Sequence, residues 1–537
     1  MRSLELAHRS NLRLLWIESP VTRLFPLRAA TLSALCLLGA CTTLGPDYEE
    51  PEVSWLNSWQ SDLYGQVNNP QQQSEVDLRF WWQIFDDPTL NSLIETARRE
   101  NPTLQIAGLR ILESRAQLGI AGSNLYPQVQ QVNGAATYND SRQSGGTVNN
   151  DESFTSYQAG FNIGWEMDFW GRFQRGVESA DAAFFASITN QQDVQVLLAA
   201  QVADLYFSYR TTLARIAVAR QNAAIQKRSL EITTRLYNGG QQSELDLQQA
   251  KAQYLTTLSS VPPLEITLVQ TRNALAALLA RPPGELPELA SIPEELPSVP
   301  EVWIDEIPAR LLVRRPDIRT AAWQVAAQSA QIGIAEADYY PAISLLGSIG
   351  WSGNTNSGSP DVTSLGVGPS FTWNVFDHGR IENNVRLQDA RLQQTIESFQ
   401  NSVLQAAQEI DSAAISVIKT RDLQSILIQS VAAAERSLAL ANTLYVEGYA
   451  DFSRVLDAQR SVFSQSTNEL ANRGNHISAI IGLYKALGGG WTDTPIEQLI
   501  PASTRSTMEK RSDWGDSLSA PLPVPTEDAS SYPGSAK

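Results

Sequence analysis

Two stretches of the chain alternate between apolar and small or polar residues. From Tyr157 to Met167 the odd positions are apolar, and the even positions hold Gln, Gly, Asn, Gly and Glu. The same alternation runs from Ser364 to Val375 and is interrupted at Pro369. A period of two predicts β-strands with one apolar face. Because proline has no N–H to donate, we expect a bulge or another sheet irregularity at Pro369.

Each of these strands is preceded by a weaker strand pattern and a polar loop. The preceding strands lie near residues 131–138 and 342–351, and they alternate less cleanly. The loops, around residues 139–152 and 352–361, are rich in Gly, Ser, Asn and Asp, which suits an aqueous exterior. The pattern therefore predicts two β-hairpins, which is four strands per chain.

Two very long helices follow the hairpins. From about Arg172 to Leu236, and from about Arg380 to Leu444, the chain contains no proline and is rich in Ala, Gln, Leu and Arg. These residues are good helix formers, and a helix of this size would be on the order of 100 Å long. Small apolar positions among many polar ones favour helices packed side by side with a wet face. A free-standing coiled coil is the alternative interpretation.

The chain also repeats itself. Pro102 opens a helical stretch that ends at Pro127, 25 residues later, and Pro316 opens another that ends at Pro341 after the same distance. The segment from Trp165 to Arg172 matches Trp373 to Arg380, and Leu236-Tyr237-x-x-Gly240 matches Leu444-Tyr445-x-x-Gly448. The chain is therefore a tandem duplication of one unit: helix, strand, loop, strand, long helix, tight turn and helix.

The N-terminus has the pattern of a lipoprotein leader. A basic segment precedes an apolar run from Ala29 to Leu38, which is too short to span a bilayer, and Gly39-Ala40-Cys41 follows. This pattern predicts that residues 1–40 are a signal peptide and that Cys41 becomes the lipid-modified N-terminus. Thr42 favours sorting to the outer membrane, because an aspartate there would resemble an inner-membrane retention signal.

Charge and composition exclude several functions. The whole chain carries a formal charge of −17, and the leader contributes +3 from five arginines against two glutamates, which leaves −20 for the mature chain. Nucleic acid is therefore not an expected partner, and a lumen within such a chain would prefer cations. With Cys36 in the leader and Cys41 lipidated, no thiol remains for a disulfide or a metal. No nucleotide-binding loop, H-E-x-x-H or G-x-S-x-G motif is present, so we expect neither an enzyme nor a cofactor beyond the lipid on Cys41.

The four predicted strands are compatible with a soluble sandwich or with a barrel in lipid, and the lipid anchor favours the barrel. No apolar run reaches the roughly 18 residues of a spanning helix, so a membrane crossing would use strands. An open four-stranded sheet leaves unpaired edges in hydrocarbon, so closure requires several chains. Two, three or four chains would give 8, 12 or 16 strands, and periodicity does not choose among them.

Five motifs, in this order, resemble TolC-like outer-membrane efflux proteins of the lipoprotein branch that serves resistance-nodulation-division (RND) pumps. They are Gly45-Pro46-Asp47-Tyr48, Trp81-Trp82 with Phe85-x-Asp87-Pro88, Trp165 to Arg172, Arg314 to Ile318, and Leu483 to Trp491. The resemblance implies a mixed α and β homotrimer with a 12-stranded outer-membrane β-barrel continuous with a long periplasmic α-helical barrel. It also implies a periplasmic adaptor (membrane fusion) protein and an inner-membrane RND pump as partners, with contact to outer-membrane lipid.

The resemblance places the functional residues at the two helix reversals. It implies that the turns with Gly240, Gln242, Gly448 and Tyr449 contact the adaptor. Asp246 and Asp457 fall where the family places carboxylates of a closed periplasmic aperture. We expect Asp457, Arg454 and Tyr445 to hold that aperture closed, with Arg454, where relatives have an acid, able to pair with a carboxylate. A pair of ordinary capped helix hairpins is the alternative interpretation.

Taken along the chain, these predictions define five segments. They are a signal peptide at 1–40, a lipid-anchored segment at 41–87, a first repeat at 88–300, a second repeat at 301–491 and a flexible tail at 492–537, with little fixed structure expected from Pro501 onward. The predicted function is the passive exit duct of a tripartite efflux system for small toxic compounds. The alternatives are the exit channel of a type I-like protein-secretion system and a non-conducting lipoprotein scaffold that spans the periplasm.

Overall fold

The computed structural model describes residues 43–56, 59, 77–141, 152–290, 292, 295–297, 309–356 and 360–523. The predicted signal peptide and Cys41 lie outside these residues. The chain divides into two compact units. We call one the strand unit, which comprises Asn124–Arg175 and Gly333–Ile381 together with the segment that ends at Gly45. We call the other the helical unit, which comprises Pro46–Ser123, Gly176–Ile332 and the chain from Glu382.

The first repeat follows a short 3₁₀ helix, Leu78–Phe85. Its elements in chain order are α1 (Pro88–Glu100), α2 (Pro102–Ser123), β1 (Val129–Ser141), β2 (Glu152–Met167), α3 (Arg172–Asn238), α4 (Glu244–Ser259) and α5 (Val261–Leu278).

The second repeat uses the same order of elements. They are α6 (Ala309–Arg314), α7 (Pro316–Ala337), β3 (Ala342–Asn354), β4 (Val362–Thr372), α8 (Arg380–Val446) and α9 (Phe452–Ala486). Two short helices then follow, α10 (Ile496–Leu499) and α11 (Ala502–Arg511), before a last 3₁₀ turn at Gly515–Leu518.

Three pairs of matching elements in the two repeats have equal lengths. Helices α2 and α7 have 22 residues each, strands β1 and β3 have 13 each, and helices α3 and α8 have 67 each. The predicted tandem duplication and the two long helices are therefore confirmed. Within the described ranges, no helix combines the length and the apolar character needed to cross a bilayer.

The four strands form one antiparallel sheet in the order β1-β2-β3-β4. Apolar side chains such as Val132, Leu365 and Phe371 are 80%, 76% and 74% exposed, so the apolar face that the alternation predicts is uncovered in the single chain. The expected irregularity at Pro369 is absent, because pairing with β3 runs without interruption through Leu345 opposite Pro369. As β4 is an edge strand of this sheet, a proline nitrogen can face away from the ladder without a lost bond.

Two side chains of the strand unit donate hydrogen bonds to backbone carbonyls of other segments. The Arg175 guanidinium donates from Nε to the Leu44 carbonyl at 2.9 Å and from Nη2 to the Gly45 carbonyl at 3.0 Å. The Trp170 indole donates to the Pro341 carbonyl at 2.9 Å and stacks on Tyr340 with ring centroids 4.6 Å apart. The residues just before α3 in the first repeat are thus linked to those just before β3 in the second.

The core of the helical unit surrounds a buried ion pair. Asp87 caps α1 by accepting hydrogen bonds from the backbone N–H groups of Thr89 and Leu90. Its other oxygen lies 2.6 Å from Arg210 Nη1 and accepts from the Tyr206 hydroxyl at 2.8 Å. The Asp87 and Arg210 side chains are only 8% and 4% exposed, so every bond to this carboxylate offsets a large desolvation cost.

The return helix differs between the repeats. In the first repeat it is divided at Ser260, where α4 ends and α5 begins one residue later. Pro262 and Pro263 lack the N–H groups that would continue the hydrogen-bond ladder, which accounts for the break. In the second repeat α9 runs unbroken for 35 residues.

The C-terminal segment is more structured than the sequence indicated. Little fixed structure was expected from Pro501 onward, and this is wrong for residues 502–518, which form α11 and a 3₁₀ turn. Met508 and Leu518 are buried in a cluster with Ile111 of α2 and Phe184 of α3. The Arg115 guanidinium donates to the carbonyls of residues 517, 520 and 521. Residues 524–537 of the predicted tail lie outside the described part of the chain.

Candidate functional site at the helix reversals

Both long helices end in the same capping motif. After α3, the Gly240 N–H donates to the Tyr237 carbonyl and the Gln241 N–H donates to the Leu236 carbonyl, each at 2.9 Å. After α8, Gly448 and Tyr449 make the equivalent bonds to Tyr445 and Leu444, at 3.0 and 2.8 Å. This is the Schellman motif, which satisfies the last helical carbonyls and requires a left-handed residue. Gly240 and Gly448 supply that residue, with φ of 71° and 81°.

We call residues 237–246 and 445–457 the tip. At the first reversal, Ser243 caps α4 and forms a capping box with Asp246. The Asp246 N–H donates to Ser243 Oγ at 3.2 Å, and the Ser243 hydroxyl donates back to Asp246 Oδ2 at 2.6 Å. At the second reversal, Asp451 occupies the cap position of α9 without a side-chain capping bond. Asp246 therefore has a local role in starting its helix, besides any role at an aperture.

Asp457 lies on the first turns of α9 and is exposed. Its Oδ1 is 3.0 Å from Nη1 of Arg460, one turn further along the helix. The same guanidinium donates from Nε to Gln253 Oε1 of α4 at 2.9 Å, so Arg460 connects the return helices of the two repeats. Arg454 is exposed and makes no ion pair with the other described side chains. Within one chain, the arginine that pairs with Asp457 is therefore Arg460, and the carboxylate pairing expected for Arg454 is not formed among the described residues.

Tyr445 links the two reversals directly. Its hydroxyl accepts a hydrogen bond from Gln242 Nε2 at 2.8 Å, and its ring packs on Phe452 with centroids 5.3 Å apart. Phe452 belongs to a buried cluster with Ala250 of α4 and Val455 of α9. A side chain of the second turn thus holds a side chain of the first, and an apolar cluster behind them holds both hairpins together.

The outermost part of the tip is apolar and aromatic. Tyr449 is 79% exposed and Val446 is 84% exposed, and Leu245 is exposed at the first reversal. Large apolar side chains grouped at one exposed end are typical of a protein interaction surface. Of the residues expected to contact a partner, Tyr449 is available, whereas the Gln242 amide is already bonded to Tyr445.

Three residues at or next to the tip were missed by sequence reasoning. Arg460, Gln253 and Phe452 connect the two return helices, as described above. Arg460 was detectable in principle, since it follows Asp457 by one helical turn, where opposite charges attract. Gln253 was not, because its role depends on which helix face meets α9. In the described ranges, no group of His, Cys, Asp or Glu is placed to hold a metal ion.

Two long helices, a pair of β-hairpins and a structured pair of helix reversals define an outer-membrane channel of the TolC type. The sequence pattern of the outer membrane efflux protein family matches residues 93–281 and 307–489, one match in each repeat. The chain belongs to the outer membrane efflux protein family, and it is an efflux channel of the outer membrane. This confirms the resemblance identified from the five motifs.

Individual relatives cover almost the whole chain. The probable outer membrane lipoprotein SilC of Salmonella typhimurium is 28% identical over 488 residues, which cover 88% of this chain and all of SilC. The cation efflux system protein CusC of Escherichia coli O6:H1 is 29% identical over 472 residues, 85% of this chain and 97% of CusC. The solved structure of the outer-membrane channel OprN is 31% identical and superposes with a TM-score of 0.74, covering 84% of this chain and all of OprN.

Proposed function

We propose that this channel is the exit duct of a tripartite efflux system. In this proposal, an inner-membrane RND pump supplies the energy, a periplasmic adaptor connects pump and duct, and the duct passively conducts small toxic compounds to the exterior. The observation that carries the proposal is the pair of Schellman-capped reversals that end two 67-residue helices and present an exposed aromatic and apolar tip. Passive conduction needs no catalytic group, so the functional residues belong at the ends of the duct.

The sheet supports assembly into a homotrimer. Strands β1 and β4 are the edges of the four-stranded sheet in one chain, and edge strands in hydrocarbon need partners. Pairing β4 of one chain with β1 of the next would close the sheet, and three chains would give 12 strands. The apolar face of the sheet would then contact outer-membrane lipid, and the α-helices would form a second barrel that extends into the periplasm.

We further propose that Cys41 carries the covalent lipid that anchors the chain in the outer membrane. Mass spectrometry of the intact mature protein tests this directly. A mass that corresponds to cleavage before Cys41 plus a lipid modification is expected, and a Cys41→Ser variant should lack the added lipid. A mature chain that begins elsewhere, or an unmodified Cys41, would contradict the anchor.

At the periplasmic end, three chains would bring together six tip carboxylates, Asp246 and Asp457 from each. Like charges at close range repel, so such a ring needs local compensation. The capping box of Asp246 and the Arg460 partner of Asp457 supply it within each chain. We propose that these contacts, together with the Tyr445 to Gln242 hydrogen bond, hold the resting aperture closed, and that Arg454 is free to act between chains.

Photo-crosslinking in intact cell envelopes tests the partners. A benzoylphenylalanine at Tyr449 replaces one exposed aromatic residue with another, and the same replacement at Phe376, which is 91% exposed in the strand unit, is the matched control. Capture of an adaptor and an RND pump by the Tyr449 probe alone would support efflux. Capture of an ABC-type exporter would favour protein secretion instead, and equal capture at both positions would argue against a docking tip.

Electrical recording separates both duct functions from a scaffold. Purified protein in planar bilayers should produce discrete channel currents, and the currents should be larger when the tip contacts are removed. A correctly assembled trimer that never conducts, with or without those contacts, would support the non-conducting scaffold.

A further inference from the structure

Four helices of the helical unit lie side by side in one layer. Gln331 of α7 donates to Ser179 of α3 at 2.7 Å, and Gln328 of α7 donates to Gln388 of α8 at 3.0 Å. Helix α2 adds to the α3 side through the apolar cluster of Ile111. The order across the layer is therefore α2, α3, α7 and α8.

The two ends of the chain pack against this layer. The C-terminal segment packs Met508 and Leu518 against α2 and α3. The N-terminal segment packs Tyr48 against Ala182 of α3 and Trp323 of α7. Both contacts are apolar. On α3 the C-terminal segment covers Phe184 and Ile188, which lie on the side of the helix away from Ser179 in the groove described next. The Tyr48 contact instead reaches the edge of that groove, at Ala186 and Ala327.

The layer also carries an open groove of about 730 Å³, to which all four helices contribute. Amide side chains are the largest group in its lining, followed by Ser and Thr hydroxyls, and its aliphatic members are alanines. The amides are Gln117, Asn190, Gln324, Gln328, Gln331 and Gln388. Such a surface offers both donors and acceptors of hydrogen bonds.

Three charged residues line this groove, Arg110 and Glu113 of α2 and Arg391 of α8. All three are exposed, and neither guanidinium forms an ion pair with another described side chain. The groove therefore carries a net charge of +1 in each chain, whereas the mature chain carries −20. Positive charge is concentrated here against the sign of the whole protein.

We propose that this groove is a binding surface inside the duct for polar solutes that carry an anionic group. Arg110 and Arg391 attract and hold the anion, and the amides satisfy the other polar groups of the solute. The inference rests on the proposed trimeric duct, because closing three such layers into a tube, with the C-terminal segment outside, turns the groove toward the lumen. Cations favoured by the overall charge would meet a local barrier at this level of the lumen.

A cysteine in the groove reports its potential. Gln324 is exposed and forms no hydrogen bond with the three charged residues. The mature chain offers no thiol besides Cys41, so Gln324→Cys adds one defined target. Reconstituted full-length protein is treated with the anionic sulfonatoethyl and the cationic trimethylammonioethyl methanethiosulfonate. We take the rate with the anionic reagent divided by the rate with the cationic one. This ratio, divided by the same ratio for a free small thiol, should exceed one. The parent protein, labelled in parallel, supplies the background.

Charge variants on this background identify the source of the potential. Arg110→Gln and Arg391→Gln should each lower the ratio roughly four- to sixfold at low salt, because a unit charge about 8 Å away in water acts on the two reagents with opposite sign. Glu113→Gln should raise it. Arg386→Gln removes an exposed arginine of the same helix α8 that pairs with Glu382 outside the groove, and it should leave the ratio unchanged.

Binding itself is measured by protection, with citrate as the probe anion. Citrate at millimolar concentration should slow both reagents at Gln324→Cys relative to sodium chloride of equal ionic strength, and the two arginine variants should lose this protection. No reaction with either reagent, a ratio unaffected by both arginines, or absence of citrate protection would each overturn the proposal. Failure of the duct itself is recognised separately, as absence of channel current in the parent protein.

Discussion

Replacing Tyr445 with phenylalanine tests the proposed closed aperture by removing a single oxygen atom. Tyr445→Phe removes the hydroxyl that accepts the Gln242 hydrogen bond at 2.8 Å and keeps the ring that packs on Phe452. The apolar cluster behind the tip should therefore stay intact, while the direct link between the two reversals is lost. If that link holds the resting aperture closed, the variant should open more readily.

The size of the effect follows from the hydrogen bond and the number of chains. A neutral hydrogen bond contributes about 0.5–1.5 kcal/mol net, and the half-buried position of Tyr445 favours the lower part of this range. Three equivalent bonds in a trimer would together contribute about 1.5–3 kcal/mol to the closed state. The ratio of open to closed channels should then rise roughly 10- to 100-fold.

Single-channel recording measures this ratio, and the tandem repeat supplies the control. Tyr237 occupies the equivalent position in the first repeat, and its hydroxyl has no hydrogen-bond partner among the described residues. Tyr237→Phe is therefore the same chemical change without the lost bond. Equal opening in the Tyr445→Phe and Tyr237→Phe channels would refute the reasoning, and unchanged conductance in both Asp457→Ala and Tyr445→Phe would end the closed-aperture hypothesis.

Three further predictions concern stability. Burial, with Asp317 nearby, raises the pKa of Asp193 from 3.8 to about 6, so the folded state loses stability as the pH rises through this range. Asp193→Asn should therefore raise the free energy of unfolding by about 1–3 kcal/mol at pH 7.5, measured as a higher apparent melting temperature, and should have no effect near pH 4. Met508→Ala should lower the free energy of unfolding by about 2–3 kcal/mol and make the C-terminal segment sensitive to protease, whereas Met508→Leu should be nearly neutral. Equal proteolysis of both variants would contradict the docked segment. Gly448→Ala should destabilise the folded state by about 1 kcal/mol, because φ at this residue is 81°. Gly119→Ala, where an added Cβ meets open space on α2, should stabilise the folded state by a similar amount. Melting temperatures that shift in the same direction for both variants would count against this account.

Regular patterns along the sequence predicted most of the fold. The proline-free stretches predicted helices from Arg172 and Arg380, and the observed helices begin at these residues and end two residues beyond the predicted ends. Period-two alternation located the strands, because successive side chains of a strand point to opposite faces of the sheet. Such features depend only on neighbouring residues, so one sequence is enough to detect them.

Contacts between distant elements were harder to predict. Arg454 and Arg460 lie three residues to either side of Asp457, so helical spacing alone cannot choose between them. Arg460 also bonds Gln253 on the neighbouring helix α4, which holds its guanidinium in place. The C-terminal segment illustrates the same limit. Its Pro-, Ser- and acid-rich composition predicts disorder, but Met508 packs on an apolar surface of two helices that lie more than three hundred residues earlier in sequence.

The tip shows why the two repeats are not interchangeable. Asp246 is used to cap α4, whereas Asp457 pairs with Arg460 on an unbroken α9. Tyr445 bonds across to the first repeat, and its counterpart Tyr237 makes no such bond with the described residues. Six hairpins of a trimer would therefore alternate between two kinds, and the hydrogen bond that we propose holds the aperture closed would join unlike neighbours. Such a bond would break when one kind of hairpin moves relative to the other, so a tip of this design would open without unfolding either hairpin.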